Sequence, residues 1–271
     1  MPTWVDGREA ESLSVRDRGL AYGDGLFETL GIHQGRVRLL DRHLARLTEG
    51  CARLAIALDP DLVRTELLAF ASELGEGVAK LILTRGDGPR GYGPPSPAQP
   101  RRILQGGPAH DYPAAQGAAG VRLFPCATRL AEQPLLAGLK HLNRLEQVLA
   151  RGEWQDAEHA EGLMRDSSGR VVEGVYSNLF LVKDGRLLTA ELSRCGVAGV
   201  MRAELLAQAE QAGIPSSVRD LDYQELLDAD EVFLCNSQYG VWPVRALEAH
   251  CWPVGPLTRK LQAIARALLD V

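Results

Sequence analysis

Lys140 stands in the run Gly138-Leu139-Lys140-His141-Leu142-Asn143-Arg144-Leu145-Glu146-Gln147. Before it lies a loop rich in Pro, Gly and Ala (Gln133 to Gly138), and after it the apolar residues Leu142, Leu145 and Leu149 recur at helical spacing. The spacing predicts a helix opening close to Lys140. A lysine at the mouth of a helix, after a loop that lets a ligand approach, is placed to meet a carbonyl. The positive end of the helix dipole disfavours its charge, and the neutral amine is the form that builds a Schiff base.

Other segments carry groups that could serve the same chemistry. Glu173 follows the strand Arg170-Val171-Val172 and precedes Gly174, so its carboxylate can project into a cleft from a strand end. Arg46, in Arg42-His43-Leu44-Ala45-Arg46-Leu47, falls beside the apolar stripe of a helix. There it either snorkels or pairs with a carboxylate, or it holds a phosphate bidentately. The run Ala198-Gly199-Val200-Met201-Arg202 opens a helix directly after the glycine-containing loop at Cys195-Gly196. Such a start is an anion site by its N–H groups and its dipole. Glu231 to Gln238 reads as an apolar strand ending in Asn236-Ser237-Gln238, where Ser237 could give a hydroxyl to an anion. Each of these patterns is common by itself. Together they supply an amine, a carboxylate and a phosphate cup, which is what pyridoxal 5'-phosphate requires.

The segments, in this order, resemble the fold-type IV pyridoxal-phosphate enzymes. That family includes branched-chain aminotransferases, D-amino-acid aminotransferases and 4-amino-4-deoxychorismate lyases. The likeness runs from Ser14-Val15-Arg16-Asp17-Arg18 to the last helix. Within the family, the Lys140 to Gln147 run is similar to the lyases, as are Tyr22-Gly23-Asp24-Gly25-Leu26-Phe27-Glu28-Thr29 and Thr84-Arg85-Gly86-Asp87-Gly88-Pro89-Arg90-Gly91-Tyr92. The resemblance implies that Lys140 is the Schiff-base lysine and the proton-transfer base, and that Glu173 pairs with the protonated pyridine nitrogen. It implies that Arg46, the backbone N–H groups of Val200 and Met201, and Ser237 bind the phosphate. Asn178, in the Asn-Leu-Phe triplet, would shape the cofactor loop. The reaction implied is that of folate biosynthesis, in which 4-amino-4-deoxychorismate loses its enol ether side chain as pyruvate and becomes 4-aminobenzoate. Lys80 aligns with an arginine that relatives use on a substrate carboxylate. Arg85, Arg90 and Arg102 are further cationic candidates, with Tyr92 and Thr29 also assigned to the substrate. Aminotransferases of the family often place a tyrosine five residues after the lysine, and this chain has Leu145 there. An aminotransferase acting on D-amino or branched-chain acids is the alternative reading. A homodimer is also implied.

The elements that must position these groups alternate along the chain. Strands are expected at Thr3–Val5, Gly25–His33, Val37–Leu39 and Val78–Thr84, with a hairpin turn at His33 to Arg36. Asp41 reads as the N-cap of a helix carrying Leu44, Leu47 and Cys51, and a second helix follows Pro60. Gly86 to Arg102 reads as a functional loop, and Ile103-Leu104 as a short apolar piece. Later strands are expected at Val121–Phe124, Glu161–Arg165, Val171–Val172, Asn178–Val182, Arg186–Thr189 and Glu231–Cys235. Helices are expected from Gly199 to Ala212, from Asp222 to Asp228 and from Gly255 to Leu269. The fold class is therefore α+β or mixed α/β in two domains of the D-amino-acid aminotransferase type. Residues 1–107 form the first, 108–120 a linker, and 121–271 the second, which carries most of the cofactor site.

Composition agrees with this reading. The 271 residues are 45% hydrophobic and 24% charged, with formal net charge -5 and no basic run, which argues against a nucleic-acid partner. No apolar stretch approaches the roughly 20 residues that span a bilayer, and the first residues lack an apolar signal core. The five cysteines and six histidines show no metal-ligand spacing. Reduced thiols in a cytoplasmic enzyme acting on a small molecule are the expectation.

Overall fold

Residues 1–270 are described by the computed structural model and cluster into two units. The first comprises Met1–His110 with Leu139–Asn143, and the second Asp111–Gly138 with Arg144–Asp270. Both mix helices and strands.

The first unit is built on β1 (Thr3–Val5), β2 (Arg8–Glu9), α1 (Arg18–Tyr22), β3 (Gly25–His33), β4 (Arg36–Val37), α2 (Leu40–Arg53), α3 (Pro60–Leu74), β5 (Gly77–Thr84) and β6 (Arg101–Gly107). Its sheet runs β2-β1-β6-β5-β3-β4. Strand alternation sends Leu26, Leu30, Ala79, Leu81 and Leu83 to one buried face, packed with Leu44, Leu47, Leu67 and Phe70 of α2 and α3. The other face stays half-open. α3 begins as its sequence dictates, with Asp59 accepting from the Asp61 and Leu62 N–H groups and Pro60 in the first turn. α2 departs from expectation: its N-cap is Leu39 in a left-handed conformation, and Asp41 lies inside the first turn. There the Asp41 carboxylate meets the positive helix end and Arg64 Nη2 at 2.6 Å. The apolar pair Ile103-Leu104 is the middle of strand β6, in register with Ile82 and Leu81 of β5.

The second unit contains α4 (Ala114–Ala119), β7 (Val121–Leu130), α5 (Leu145–Arg151), β8 (His159–Asp166), β9 (Val171–Gly174), β10 (Asn178–Lys183), β11 (Arg186–Ala190), α6 (Val200–Gln211), β12 (Ser216–Arg219), α7 (Tyr223–Leu227), β13 (Glu231–Asn236), β14 (Gly240–Leu247), β15 (His250–Cys251) and α8 (Pro256–Leu269). Its strands follow the order β12-β11-β10-β13-β14-β7-β8-β9, and β9 returns to pair with β10. That last pairing, Asn178 opposite Glu173, closes the path from β10 to β9 into a barrel. The near-continuous apolar runs of β10 and β13 follow from burial on both faces. The stretch 108–120, expected as a linker, contains helix α4, and from Asp111 onward it belongs to the second unit.

The helix expected at Lys140 begins only at Leu145. Residues 140–142 are extended and pair with the edge of β3: the Phe27 N–H donates to the Lys140 carbonyl (2.9 Å), and the Leu142 N–H to the Gly25 carbonyl (3.0 Å). β4 is two residues long and leaves the first part of that edge open. Satisfying the edge's backbone groups outweighs the helical periodicity. Leu145, Val148 and Leu149 consequently lie on the outside of α5, 75%, 63% and 64% exposed.

Candidate active site

Functional side chains gather in two places, one in each unit. In the first unit, Lys140 lies opposite Phe27 on β3, next to the Leu26–His141 bridge. Its Nζ stands 4.3 Å from the Phe27 ring centroid. Alternation puts Phe27 and Thr29 on the half-open face, and Thr29 is in register with Lys80 of β5. Lys80 Nζ also approaches the Phe27 ring, at 5.4 Å. Lys140, Phe27, Thr29 and Lys80 thus share one face. The extended backbone at Lys140 removes the helix dipole as an influence on its amine. A ring face in van der Waals reach takes that place.

Behind this face, on the buried side, Glu28 is held by two bases. Arg46 Nε and Nη2 donate to its two oxygens at 2.8 and 2.5 Å, and His43 Nδ1 lies 2.6 Å from Oε2. Burial alone would raise the Glu28 carboxyl. The Arg46 charge and the hydrogen bonds from His43 and Arg46 outweigh it and hold the group at about 2. His43 is shifted down, chiefly by burial, with the charges of Arg46 and Lys140 adding to that direction against the pull of Glu28. Arg46 therefore lies at the helix edge as expected, with one side of its guanidinium given to Glu28.

The remaining cationic candidates separate. Arg85 donates to both oxygens of Asp24 (2.8 and 3.0 Å) and to the Leu54 and Ala55 carbonyls (2.8 Å each). Arg102 grips Glu66 through Nε and Nη2 at 2.8 and 3.0 Å. Both are tied to the scaffold, each planar fork matched to a carboxylate. Arg90 and Tyr92 stand on the exposed 86–100 loop, with Tyr92 87% exposed. That loop is pinned by Arg18, which donates to the Gly91, Tyr92 and Gly93 carbonyls and to Asp24.

In the second unit, Glu173 ends β9 and is buried. Its Oε2 accepts the Val197 N–H at 2.8 Å and the Asn178 amide at 3.4 Å, and the same amide donates to the Val197 carbonyl at 2.8 Å. Asn178 thereby ties Glu173 to the loop that enters α6. Gly199 is required there, because a Cβ on it would lie 2.0 Å from Asn178 Oδ1. The α6 ladder starts with the Ala203 N–H on the Gly199 carbonyl, so the N–H groups of Val200 and Met201 precede it and point out of the helix end. Asn178 also faces Cys235, which places the turn at Ser237 just beyond the same end of the barrel. Glu173, Asn178, the α6 start and the Ser237 turn are thus brought together.

Glu28, His43 and Glu161 were not singled out by their types and spacing. Glu28 carried a signal: it shares the parity of Leu26 and Leu30, so a carboxylate had to enter the core and find partners. Glu161 opens the expected strand at 161–165 with no such mark. Its oxygens accept from the Gly162, Val175 and Tyr176 N–H groups and from the Ser177 hydroxyl, fixing the turn that follows Glu173. Among the described residues no cluster suited to a metal occurs, and no helix is long and apolar enough to cross a membrane.

The chain matches the amino-transferase class IV family over residues 25–247. It is 39% identical over 267 residues to an aminodeoxychorismate lyase from Vibrio harveyi, covering 96% of this chain and 97% of that one. It is 29% identical over 270 residues to a D-alanine aminotransferase from Bacillus licheniformis, covering 96% and 93%. The crystal structure of 4-amino-4-deoxychorismate lyase from Pseudomonas aeruginosa superposes with a TM-score of 0.98 at 68% identity, covering 99% of this chain and 100% of that one.

Proposed function

The chain belongs to the class IV amino-transferase family, and from that premise we propose that it is a pyridoxal-phosphate-dependent lyase converting 4-amino-4-deoxychorismate to 4-aminobenzoate and pyruvate. The near full-length likeness to the Pseudomonas aeruginosa lyase carries this reading over an aminotransferase. The exposed Leu145, which offers no hydroxyl five residues after Lys140, supports it further.

The residues present fit the cofactor. Glu173 is a buried carboxylate oriented by neutral donors, suited to a protonated ring nitrogen. The outward N–H groups of Val200 and Met201, with Ser237, suit a phosphate, and Arg46, oriented by Glu28, would add a guanidinium charge. When bound, pyridoxal phosphate supplies an aldehyde for amines and an electron sink for the carbon bearing the amine. Lys140 Nζ would be the residue that holds the cofactor's aldehyde, and its free amine would be the base for the proton on the substrate's amine-bearing carbon. The Glu173 carboxylate would hold the proton of the ring nitrogen, which would maintain the sink. Loss of the enol ether side chain makes the carbocycle aromatic, so the chain's remaining task is to orient the breaking bonds. Asn178 does this at one remove, by fixing Glu173 and the α6 entry loop. Thr29 and Lys80 face the substrate from the sheet that carries Lys140.

Lys140→Ala tests the reading. The variant should lose the near-visible absorbance of lysine-bound cofactor and its pyruvate release from aminodeoxychorismate. A variant that keeps wild-type pyruvate release overturns the role of Lys140. Wild-type enzyme that moves the amino group of D-alanine to 2-oxoglutarate, and releases no pyruvate from aminodeoxychorismate, overturns the lyase assignment. A homodimer and a cytoplasmic location complete the proposal. The first is supported by the outward apolar face of α5, the second by the free cysteines, four of them buried. Light scattering at micromolar concentration checks the dimer.

A further inference from the structure

We propose that Arg38 recognises the substrate's ring carboxylate, the one that 4-aminobenzoate retains. The inference rests on the lyase reading above and deepens it.

Arg38 follows β4 and lies opposite Gly31 on β3, where its N–H donates to the Gly31 carbonyl at 2.9 Å. Gly31 shares strand parity with Phe27 and Thr29, so Arg38 joins Lys140 and Lys80 on the half-open face of the sheet. Its side chain crosses the bare glycine: a Cβ on Gly31 would lie 3.1 Å from Arg38 Cδ and 3.7 Å from Nη1. The guanidinium therefore runs over the sheet and not off its edge.

Other arginines of the unit are matched. In the same unit Arg18, Arg46, Arg85, Arg101 and Arg102 each meet a carboxylate within salt-bridge distance. Arg38 has no such partner among the described residues, and its Nε is buried without a hydrogen bond. Glu76 feels the Arg38 charge, yet its oxygens are taken by His33 and the Gln34 N–H. A buried Nε–H with nothing to donate to is costly, and a carboxylate ligand removes that cost with a fork-shaped match.

The spacing suits one substrate end. Lys140 lies opposite Phe27 and Arg38 opposite Gly31, four positions along β3, or roughly 14 Å at about 3.4 Å per residue. Once two long side chains are subtracted, the remainder suits a six-membered ring with an amine at one end and a carboxylate at the other. Lys140 meets the amine, and Arg38 meets the acid across the ring.

The test compares 4-aminobenzoate with 4-aminobenzamide, its neutral amide, by calorimetry on the holoenzyme. Wild type should prefer the acid by about 10- to 100-fold, the range for a hydrogen-bonded charge. Arg38→Gln should reduce that preference to about threefold or less, and Arg38→Lys should recover part of it. KM for aminodeoxychorismate should rise by a similar factor in Arg38→Gln, with kcat and the absorbance of the Lys140-bound cofactor preserved. An Arg38→Gln enzyme that keeps the wild-type acid preference overturns the proposal. So does one whose preference falls only together with its absorbance and melting temperature, since Arg38 would then be holding the fold. Failure of wild-type lyase turnover would instead fault the functional reading, and the acid-against-amide comparison would still decide Arg38.

Discussion

Among the carboxylates that each unit buries, Glu28 and Glu161 behave in opposite ways. Glu28 in the first unit is 2% exposed, and Glu161 in the second is 0% exposed. Glu28 sits among Arg46 and His43 and is held at about 2. Glu161 receives four hydrogen bonds from neutral donors, and burial still pushes it up to about 7. Equal burial with opposite outcome isolates the deciding factor. A cationic partner compensates a lost hydration shell, whereas dipoles aimed from backbone N–H groups compensate it only in part. The first unit can thus keep a permanent charge behind the face that bears Lys140. The second holds a carboxyl that titrates near neutrality.

The largest break of this comparison is Glu28→Gln. It leaves Arg46 and His43 buried beside an amide, and removing one partner of a buried pair costs about 3–5 kcal/mol. The variant should unfold at correspondingly lower denaturant. The wild-type pH dependence gives the companion measurement. The Glu28 carboxyl is lowered from 4.5 to about 2, so its contribution is complete above 4.5 and is lost as pH falls toward 2. Glu28→Gln should lack that acid limb. A variant as stable as wild type at pH 7 would mean that the Arg46–Glu28–His43 cluster adds nothing net.

Which of these features could be read from the chain follows the range of the forces involved. The placement of Glu173, Asn178, Gly199 and Val200 at strand ends and a helix start was legible because such features are set by backbone geometry within a few residues. The barrel strands β8 to β11 were legible for the same reason. Lys140 was legible in type but misread in setting: its flanking leucines have helical spacing, and only the open edge of β3, more than a hundred residues earlier in the chain, draws the segment into an extended form. The ion pairs of Arg85 and Arg102 were not legible for a like reason, since Asp24 and Glu66 are distant in sequence and no local pattern announces them. Strand β14 was missed because Pro243 interrupts its apolar run and Gly240 opens it.

Glu161→Gln sharpens the other side. A carboxyl raised from 4.5 to about 7 favours the folded state fully below 4.5, and that contribution fades as pH climbs through 7. At about 1.4 kcal/mol per unit, wild type should lose roughly 3 kcal/mol across this window. Glutamine is neutral throughout: its carbonyl oxygen can accept from the Gly162 and Val175 N–H groups and its amide can donate to the Ser177 hydroxyl, while the Tyr176 N–H loses its acceptor. The variant should therefore be weaker than wild type at pH 5, but its stability should stay level over the same range. Denaturant titrations at pH 5 and pH 8 check this. Parallel curves for wild type and variant would show that neutral donors alone suffice to hold the carboxylate ionised, and the contrast with Glu28 would collapse.

Ser177→Ala is the finest probe, because it removes one neutral donor and leaves burial unchanged. The Ser177 hydroxyl donates to Glu161 Oε2 at 2.7 Å and, after burial, is the largest influence on that carboxyl, acting downward. At pH 5 the carboxyl is protonated and the lost contact is an ordinary one, about 0.5–1.5 kcal/mol. At pH 8 it is charged, and a hydrogen bond to a charged group is worth about 1.5–3 kcal/mol. The penalty of Ser177→Ala should therefore grow by about 1 kcal/mol between the two pH values, and the midpoint of the stability change should move upward from 7. A penalty that is the same at both would place the burden on the Gly162, Val175 and Tyr176 N–H groups. Glu161 would then owe its remaining charge to the backbone of the turn that follows Glu173, and the side chain of Ser177 would serve only to fill it.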